Sequence, residues 1–432
     1  SCLWVRSVGN GGGCGRCRMG SFGTIPAMRL SVAWLWAIVI VARLAYAVLA
    51  TQIDPFLRAN PLHGDATLYD ATAWRLASTG EYRLDKEYAT APAYLYLMAG
   101  VYLFVGHEPA AVRLLNALLG LLTLWGLWRL THQLVSERAA NLALVLATFH
   151  PHLLMITGWL YAENLVLPLI VWGIYGLLFW RGGRGWVVSG VLLGLLALTR
   201  ATFLPFAMLA AGWLLWRERA WRAPMYMLTT LLLIIAPYVV YISSRYGALI
   251  PISLGSGYLM LEANNEHADG GFSRIREQEL TIGGERKPTS EWLREDNPVA
   301  RDRQAMRLAL RWIRENPTQW LVLVGKKLSL TLRAFGLVNP KSRLVAQTTR
   351  FADGIYWIFL LSALYGLWRL RGEHPEFVLL ILLLFGLTLL TVVIYAGGSR
   401  FILHTQPFLT LGAAGTIVAL WGRVRTQSGA ET

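Results

Sequence analysis

Between the first two long apolar runs of this chain lies a polar stretch, His63-Gly64-Asp65-Ala66-Thr67-Leu68-Tyr69-Asp70. Carboxylates set just outside a membrane-length run are costly at that depth and suit chemistry at a bilayer surface. Asp65 reads two ways. It is a general base, or an electrostatic anchor for one, held partly desolvated; or it is the N-cap of a following helix, since Asp before Ala-Thr-Leu-Tyr is good capping chemistry. Asp70 lies about 500° of helical rotation further on, off the face that carries Asp65, and is expected to be solvated. Asp85 and Glu87 flank Lys86 before the Ala91-Pro92 step. That pair suits orienting an acceptor or binding a metal, and equally a surface ion pair with Lys86 or Arg83, the commoner arrangement.

Further along, Glu163 in Tyr161-Ala162-Glu163-Asn164 heads an apolar run. A carboxylate there caps a helix dipole or faces a polar cavity together with Asp65. His150 and His152 are metal-ligand types, but the proline between them is expected to make them diverge. The cations Arg113, Arg200, Lys326, Lys327 and Arg400 form the basic group. A single Arg at a span end usually snorkels. Several at one face, opposite carboxylates, are what a phosphate or diphosphate leaving group needs.

The elements that must position these residues are membrane helices. Of 432 residues, 55% are hydrophobic and only 15% charged, where a soluble domain carries roughly a quarter charged. The apolar runs are continuous rather than alternating, which excludes a barrel. The net charge of +15 sits largely in short loops between spans, where Lys and Arg set orientation, so nucleic acid is not the expected partner. Cys2, Cys14 and Cys17 all lie near the start; Cys14-x-x-Cys17 has zinc-like spacing but nothing completes a site. The expected fold class is therefore an all-α polytopic membrane protein. It has about 10–12 transmembrane helices, extracytoplasmic interfacial helices and one larger outer loop.

Spans are expected near 30–50, 110–134, 138–156, 164–180, 185–199, 202–217, 222–243, 353–370, 376–396 and 401–421. Residues 92–106 and 319–337 read as interfacial or re-entrant. With both kept from spanning, Arg138, Arg181 with Arg184, Arg217 to Arg222, Arg369 with Arg371, and Arg423 with Arg425 share one side. Short basic loops mark that side as cytoplasmic. The outer side receives 51–109, with a surface helix at 66–79, then 157–163, Arg200, the loop 244–318 with a charged helix from about Val299 to Glu315, and Arg400. Five segments follow: a tail 1–29, either disordered or upstream of a start at Met19 or Met28; a catalytic membrane module 30–243 that includes outer loop 51–109; an outer loop 244–318; a membrane module 319–421; and a cytoplasmic tail 422–432.

The order of segments resembles a known family. Gly64-Asp65-x-x-x-Tyr69-x-x-x-Ala73 is followed by Pro92-x-Tyr94, Phe104-Val105-Gly106 and Val112-Arg113-Leu114-Leu115-Asn116. Tyr161-Ala162-Glu163-Asn164 and the Gly190 to Arg200 run come next, then Asn264-Asn265, Asn316-Pro317 and Arg400-Phe401 leading to Pro407. Over about residues 30–421 this is similar to the C-type integral-membrane glycosyltransferases (GT-C), in their bacterial protein-O-mannosyltransferase-like and lipid A aminoarabinose-transferase-like branch. The resemblance implies an inverting transfer from an undecaprenyl- or dolichyl-type phosphate sugar donor at the outer face of the plasma (inner) membrane. The acceptor is a hydroxyl or phosphate of an unidentified glycolipid, glycan or protein. It implies that Asp65 is the base, with Glu163 as a second catalytic acid; that Arg200, Lys326, Lys327 and Arg400 hold the donor phosphate; and that Glu87, Tyr69, Arg113 and Asn264 support the acceptor or the site. The chain departs from the family at Ala66 and Ala91, where an Asp-Glu pair and a Pro-Pro step are usual, and this leaves the use of a divalent metal open. A lipid-linked sugar flippase or a wall-polymer ligase is the alternative, although no internal repeat supports a transporter.

Overall fold

A computed structural model describes residues 32–62, 64–82, 91–273, 275, 278–334 and 343–428. The three cysteines, Met19, Met28, Asp85, Lys86 and Glu87 lie outside these residues. The first span, α1 (Val32–Ile53), ends at Asp54, whose carboxylate caps α2 (Pro55–Ala59) through the Phe56 and Leu57 N–H groups. The surface helix α3 (Ala66–Thr79) and the short apolar α4 (Pro92–Val105) follow; each stops at a glycine of positive φ, Gly80 or Gly106. Then come α5 (Pro109–Leu134), α6 (Glu137–Phe149), α7 (Pro151–Gly158), α8 (Glu163–Phe179), α9 (Gly182–Thr199), α10 (Leu204–Glu218) and α11 (Arg222–Tyr246).

The loop after α11 builds its own small unit from α12 (Ser256–Ala263), the hairpin β1 (Glu279–Ile282) and β2 (Glu285–Pro288), α13 (Thr289–Trp292) and α14 (Pro298–Glu315). Leu280 and Ile282 point inward onto Tyr258, Leu261, Ala305 and Ala309. The Asp302 carboxylate accepts the Gly257 and Tyr258 N–H groups, which ties α14 to the start of α12. The chain returns through α15 (Pro317–Thr331), α16 (Arg343–Leu370), α17 (Pro375–Ile394), a 3-10 turn (Ser399–Thr405) and α18 (Gln406–Ser428).

Among the described residues, seven helices are long and apolar enough to cross a membrane, eight if α6 and α7 count as one broken span. The expected span at 138–156 is that broken pair, bent by 52° where Pro151 interrupts the helix. The expected spans at 164–180 and 202–217 are α8 and α10, of 17 and 15 residues, and the two ambiguous segments are α4 and α15, of 14 and 15. The helices pack through small residues, as membrane helices do. A Cβ added at Gly190 would sit 2.4 Å from the Met227 carbonyl of α11, and one at Gly366 would sit 1.9 Å from the Gly412 carbonyl of α18. The α9–α11 contact carries Arg200, which follows the last residue of α9.

Asp70 is buried rather than solvated. On α3 it shares the inward stripe with Ala66, Tyr69 and Ala73. It accepts the Tyr102 hydroxyl and pairs with His107 Nε2 at 2.8 Å, joining α3 to the end of α4. His150 and His152 do not diverge as expected: their ring centroids are 5.6 Å apart.

Candidate active site

Four of the expected residues meet. Asp65 precedes α3 with helical backbone angles and makes no side-chain cap bond, which removes its N-cap reading. Its carboxylate, 57% exposed, instead takes Arg400 Nη1 at 2.6 Å. Gly64 makes this approach feasible. Its φ is +62°, and an added Cβ would sit 2.5 Å from the Tyr161 hydroxyl oxygen, so both conformation and space require glycine.

Glu163 opens α8 and is nearly dry, with its side chain 4% exposed. It accepts Arg400 Nε at 2.5 Å and Nη2 at 3.3 Å, a forked contact, and Arg200 Nη1 at 3.0 Å. Each arginine side chain is 26% exposed, so both guanidinia keep some contact with solvent. The Arg400 guanidinium also lies over the Tyr161 ring, 4.0 Å from its centroid, a cation–π contact worth roughly 0.5–2 kcal/mol. Two carboxylates thus balance two guanidinia in one cluster. Tyr69 is buried beside them, its ring edge on Tyr94 at 5.8 Å. Burial pushes its phenol up to about 12, against a smaller lowering by Arg200, so it stays a neutral hydroxyl.

Other expected residues lie around this group rather than in it. Arg113 is buried; its Nε donates to Gly158 O at 3.0 Å and its Nη2 to Pro61 O at 2.9 Å. It therefore staples the loop that delivers Asp65 to the end of α7, just ahead of Glu163. Lys327 is fully buried, and its ammonium donates to Asn264 Oδ1 at 2.8 Å and Val393 O at 3.0 Å. Asn264 Nδ2 donates in turn to Ile394 O at 2.9 Å. Both residues cap the last carbonyls of α17, six or seven residues before Arg400. The Gly397 N–H donates to Gly270 O at 2.8 Å and the Gly398 N–H to Thr331 Oγ1 at 3.0 Å, completing the hold on that segment. Lys326 is exposed.

Three supporting residues escaped sequence reasoning. Asn164 Nδ2 donates to the carbonyls of Ile156, Trp159 and Tyr161 at 2.9, 2.8 and 3.1 Å. Asn116 Nδ2 reaches Thr157 O and Trp159 O, and its Oδ1 accepts the Tyr94 hydroxyl at 2.9 Å. The third is Tyr161, beneath Arg400. The available signal was the polar run Tyr161 to Asn164 at the head of an apolar helix.

Among the described residues no three His, Cys, Asp or Glu side chains gather, and both carboxylates of the site already face guanidinia.

The model of the dolichyl-phosphate-mannose-protein mannosyltransferase family matches residues 89–242. No curated protein sequence matches the chain. Among solved structures, the oligosaccharyltransferase of Archaeoglobus fulgidus in its apo form is 12% identical with a TM-score of 0.53, over 93% of this chain and 52% of that one. The same organism's AglB in complex with an inhibitory peptide and a dolichol-phosphate is 13% identical with a TM-score of 0.51, over 92% and 51%. ArnT from Cupriavidus metallidurans bound to undecaprenyl phosphate is 13% identical with a TM-score of 0.44, over 89% and 77%. This chain thus spans about half the length of the archaeal enzyme. At such identities the archaeal likeness is one of fold, and the all-α polytopic membrane architecture expected from the sequence is the one this chain adopts.

Proposed function

We propose that this membrane protein is an inverting glycosyltransferase. It moves a sugar from a polyprenyl-phosphate donor to a hydroxyl or phosphate acceptor at the outer face of the inner membrane. The observation that carries the reading is the guanidinium pair, Arg200 and Arg400, gathered on Glu163 beside the exposed carboxylate of Asp65. The archaeal neighbour with a bound dolichol-phosphate supports a lipid phosphate as the donor's anchor. The short basic loops on the opposite side support an outward-facing site.

A polyprenyl donor cannot leave the bilayer, so its sugar is attacked at the headgroup plane. Asp65 takes the proton from the acceptor hydroxyl. The acceptor oxygen bonds to the anomeric carbon as the bond from that carbon to the phosphate oxygen breaks. The electron pair leaves with the phosphate, where Arg200 and Arg400 neutralise it. Glu163 holds both guanidinia in place and takes no proton. Arg400 Nη1 exchanges Asp65 for the incoming phosphate, which frees the base only once a donor is bound. Lys327 and Asn264 act behind this by fixing the segment that carries Arg400, and Arg113 by fixing the approach of Asp65.

The test is transfer from purified undecaprenyl- and dolichyl-phosphate sugars by the reconstituted chain, with products read by mass spectrometry. Asp65→Asn is expected to lower turnover about 100- to 10,000-fold while donor binding is kept. A wild-type protein that carries donor across the bilayer without breaking its glycosyl–phosphate bond would sink the reading in favour of a flippase.

A further inference from the structure

The break between α6 and α7 frees backbone carbonyls at membrane depth, where each needs a partner. Pro151 has no N–H to offer Ala147, four residues earlier. Arg43, from the middle of α1, supplies one: its Nη2 donates to Ala147 O at 3.2 Å. Its Nη1 donates to Leu153 O and to Thr157 Oγ1, the latter at 2.9 Å. Arg43 is 2% exposed, and no carboxylate pairs with it among the described residues. A guanidinium buried in a span without a counter-ion is a costly way to satisfy one carbonyl; an alanine at position 151 would do so with its own N–H.

What the guanidinium adds is geometry. One acceptor lies on α6 and two on α7, so a single planar fork grips both sides of the break and defines the angle between them. The far end of α7 is Gly158, five residues before Glu163. There Arg113, Asn116 and Asn164 hold the backbone through the carbonyls of residues 156–159 and 161.

We propose that Arg43 is a positioning residue: it sets the 52° bend between α6 and α7 and through it the place of Glu163, on which Arg200 and Arg400 converge. The inference rests on the transferase reading for its kinetic consequence, but not for the bend itself.

The experiment uses the full chain in nanodiscs, with Arg43→Met, Pro151→Ala and the double variant. Thermal unfolding, undecaprenyl-phosphate affinity and transfer kinetics are measured together. Pro151→Ala alone keeps activity within about threefold, because Arg43 still holds the bend. Arg43→Met loses both stability and activity. In the double variant the N–H restored at position 151 recovers the Ala147 carbonyl and much of the stability, yet kcat/KM stays down about 100-fold, the scale of a misplaced catalytic constellation. Arg43→Lys, which keeps charge without the fork, does not rescue it. A double variant that recovers activity with stability overturns the proposal, because Arg43 then only saturates a carbonyl. Loss of activity in Pro151→Ala alone overturns it too, because the proline then sets the angle. A cryo-EM structure of the double variant reads the bend directly. A wild-type chain without transferase activity therefore refutes the function separately from this inference.

Discussion

Arg400 Nη1 lies 2.6 Å from Asp65 Oδ2 across 335 positions of sequence, and the same guanidinium grips Glu163 through Nε at 2.5 Å. One side chain from the turn that opens the last span therefore fixes the loop after α2 against the head of α8. The fork matters: a guanidinium presents five donors in a plane, so it spans two carboxylates at set angles where an ammonium would serve them only as a point charge.

Glu163→Gln removes the one carboxylate between two guanidinia and leaves like charges facing each other in a largely dry pocket. Because each arginine retains some solvent, the expected destabilisation is about 2–3 kcal/mol rather than the full cost for a buried pair. It would be read as a lowered unfolding temperature. Transfer should fall with it, and donor KM should rise, since both proposed phosphate ligands lose their anchor. Wild-type stability would show that Glu163 bears no such strain.

Gly64→Ala asks an L-residue to adopt φ +62° with its Cβ 2.5 Å from the Tyr161 oxygen. The backbone strain alone is about 1–2 kcal/mol. The expected outcome is a drop in kcat larger than the drop in stability, because Asp65 moves with its neighbour. Equal kcat in a folded Gly64→Ala protein would show that the loop has slack.

Asn164→Asp replaces an amide donor to three carbonyls with a carboxylate aimed at the same oxygens. Leaving those acceptors unmet and burying an anion among them is expected to cost about 3 kcal/mol or more. Yield and thermal unfolding of the purified variant test it; Asn164→Gln should be milder.

Tyr69 supplies a pH prediction. Burial raises its phenol from 10.0 to about 12. Between those values the folded chain binds more protons than the unfolded one, so stability falls as pH rises. The contribution is whole below pH 10 and declines from there to about 12. Tyr69→Phe lacks this group, so wild type should lose stability relative to the variant only above about pH 10. Denaturation midpoints at pH 8, 10 and 11 are the check, and parallel curves would contradict it.

Much of this protein is written in local sequence. Continuous apolar runs demand helices once water is removed. The stops at Gly80, Gly106 and Asn316-Pro317 come from backbone geometry that any fold must respect, so α3 and α14 fall within a residue of the expected bounds. The four residues that meet were also visible, because ionisable groups at the ends of membrane helices and in the loop beside them are too costly to lack a purpose. That Glu163 would share a polar site with Asp65 was one of the two readings open to it; which of the other candidates turn away was not visible. Lys327 was expected beside a phosphate but spends its ammonium on Asn264 and the carbonyl end of α17. Arg113 staples backbone, and Asp70 faces inward to Tyr102 and His107. Residue type and spacing determine that a buried charge must find partners. Only the packing of distant helices decides who they are, because a hydrogen bond reaches about 3 Å while its two ends here lie tens to hundreds of residues apart in the chain.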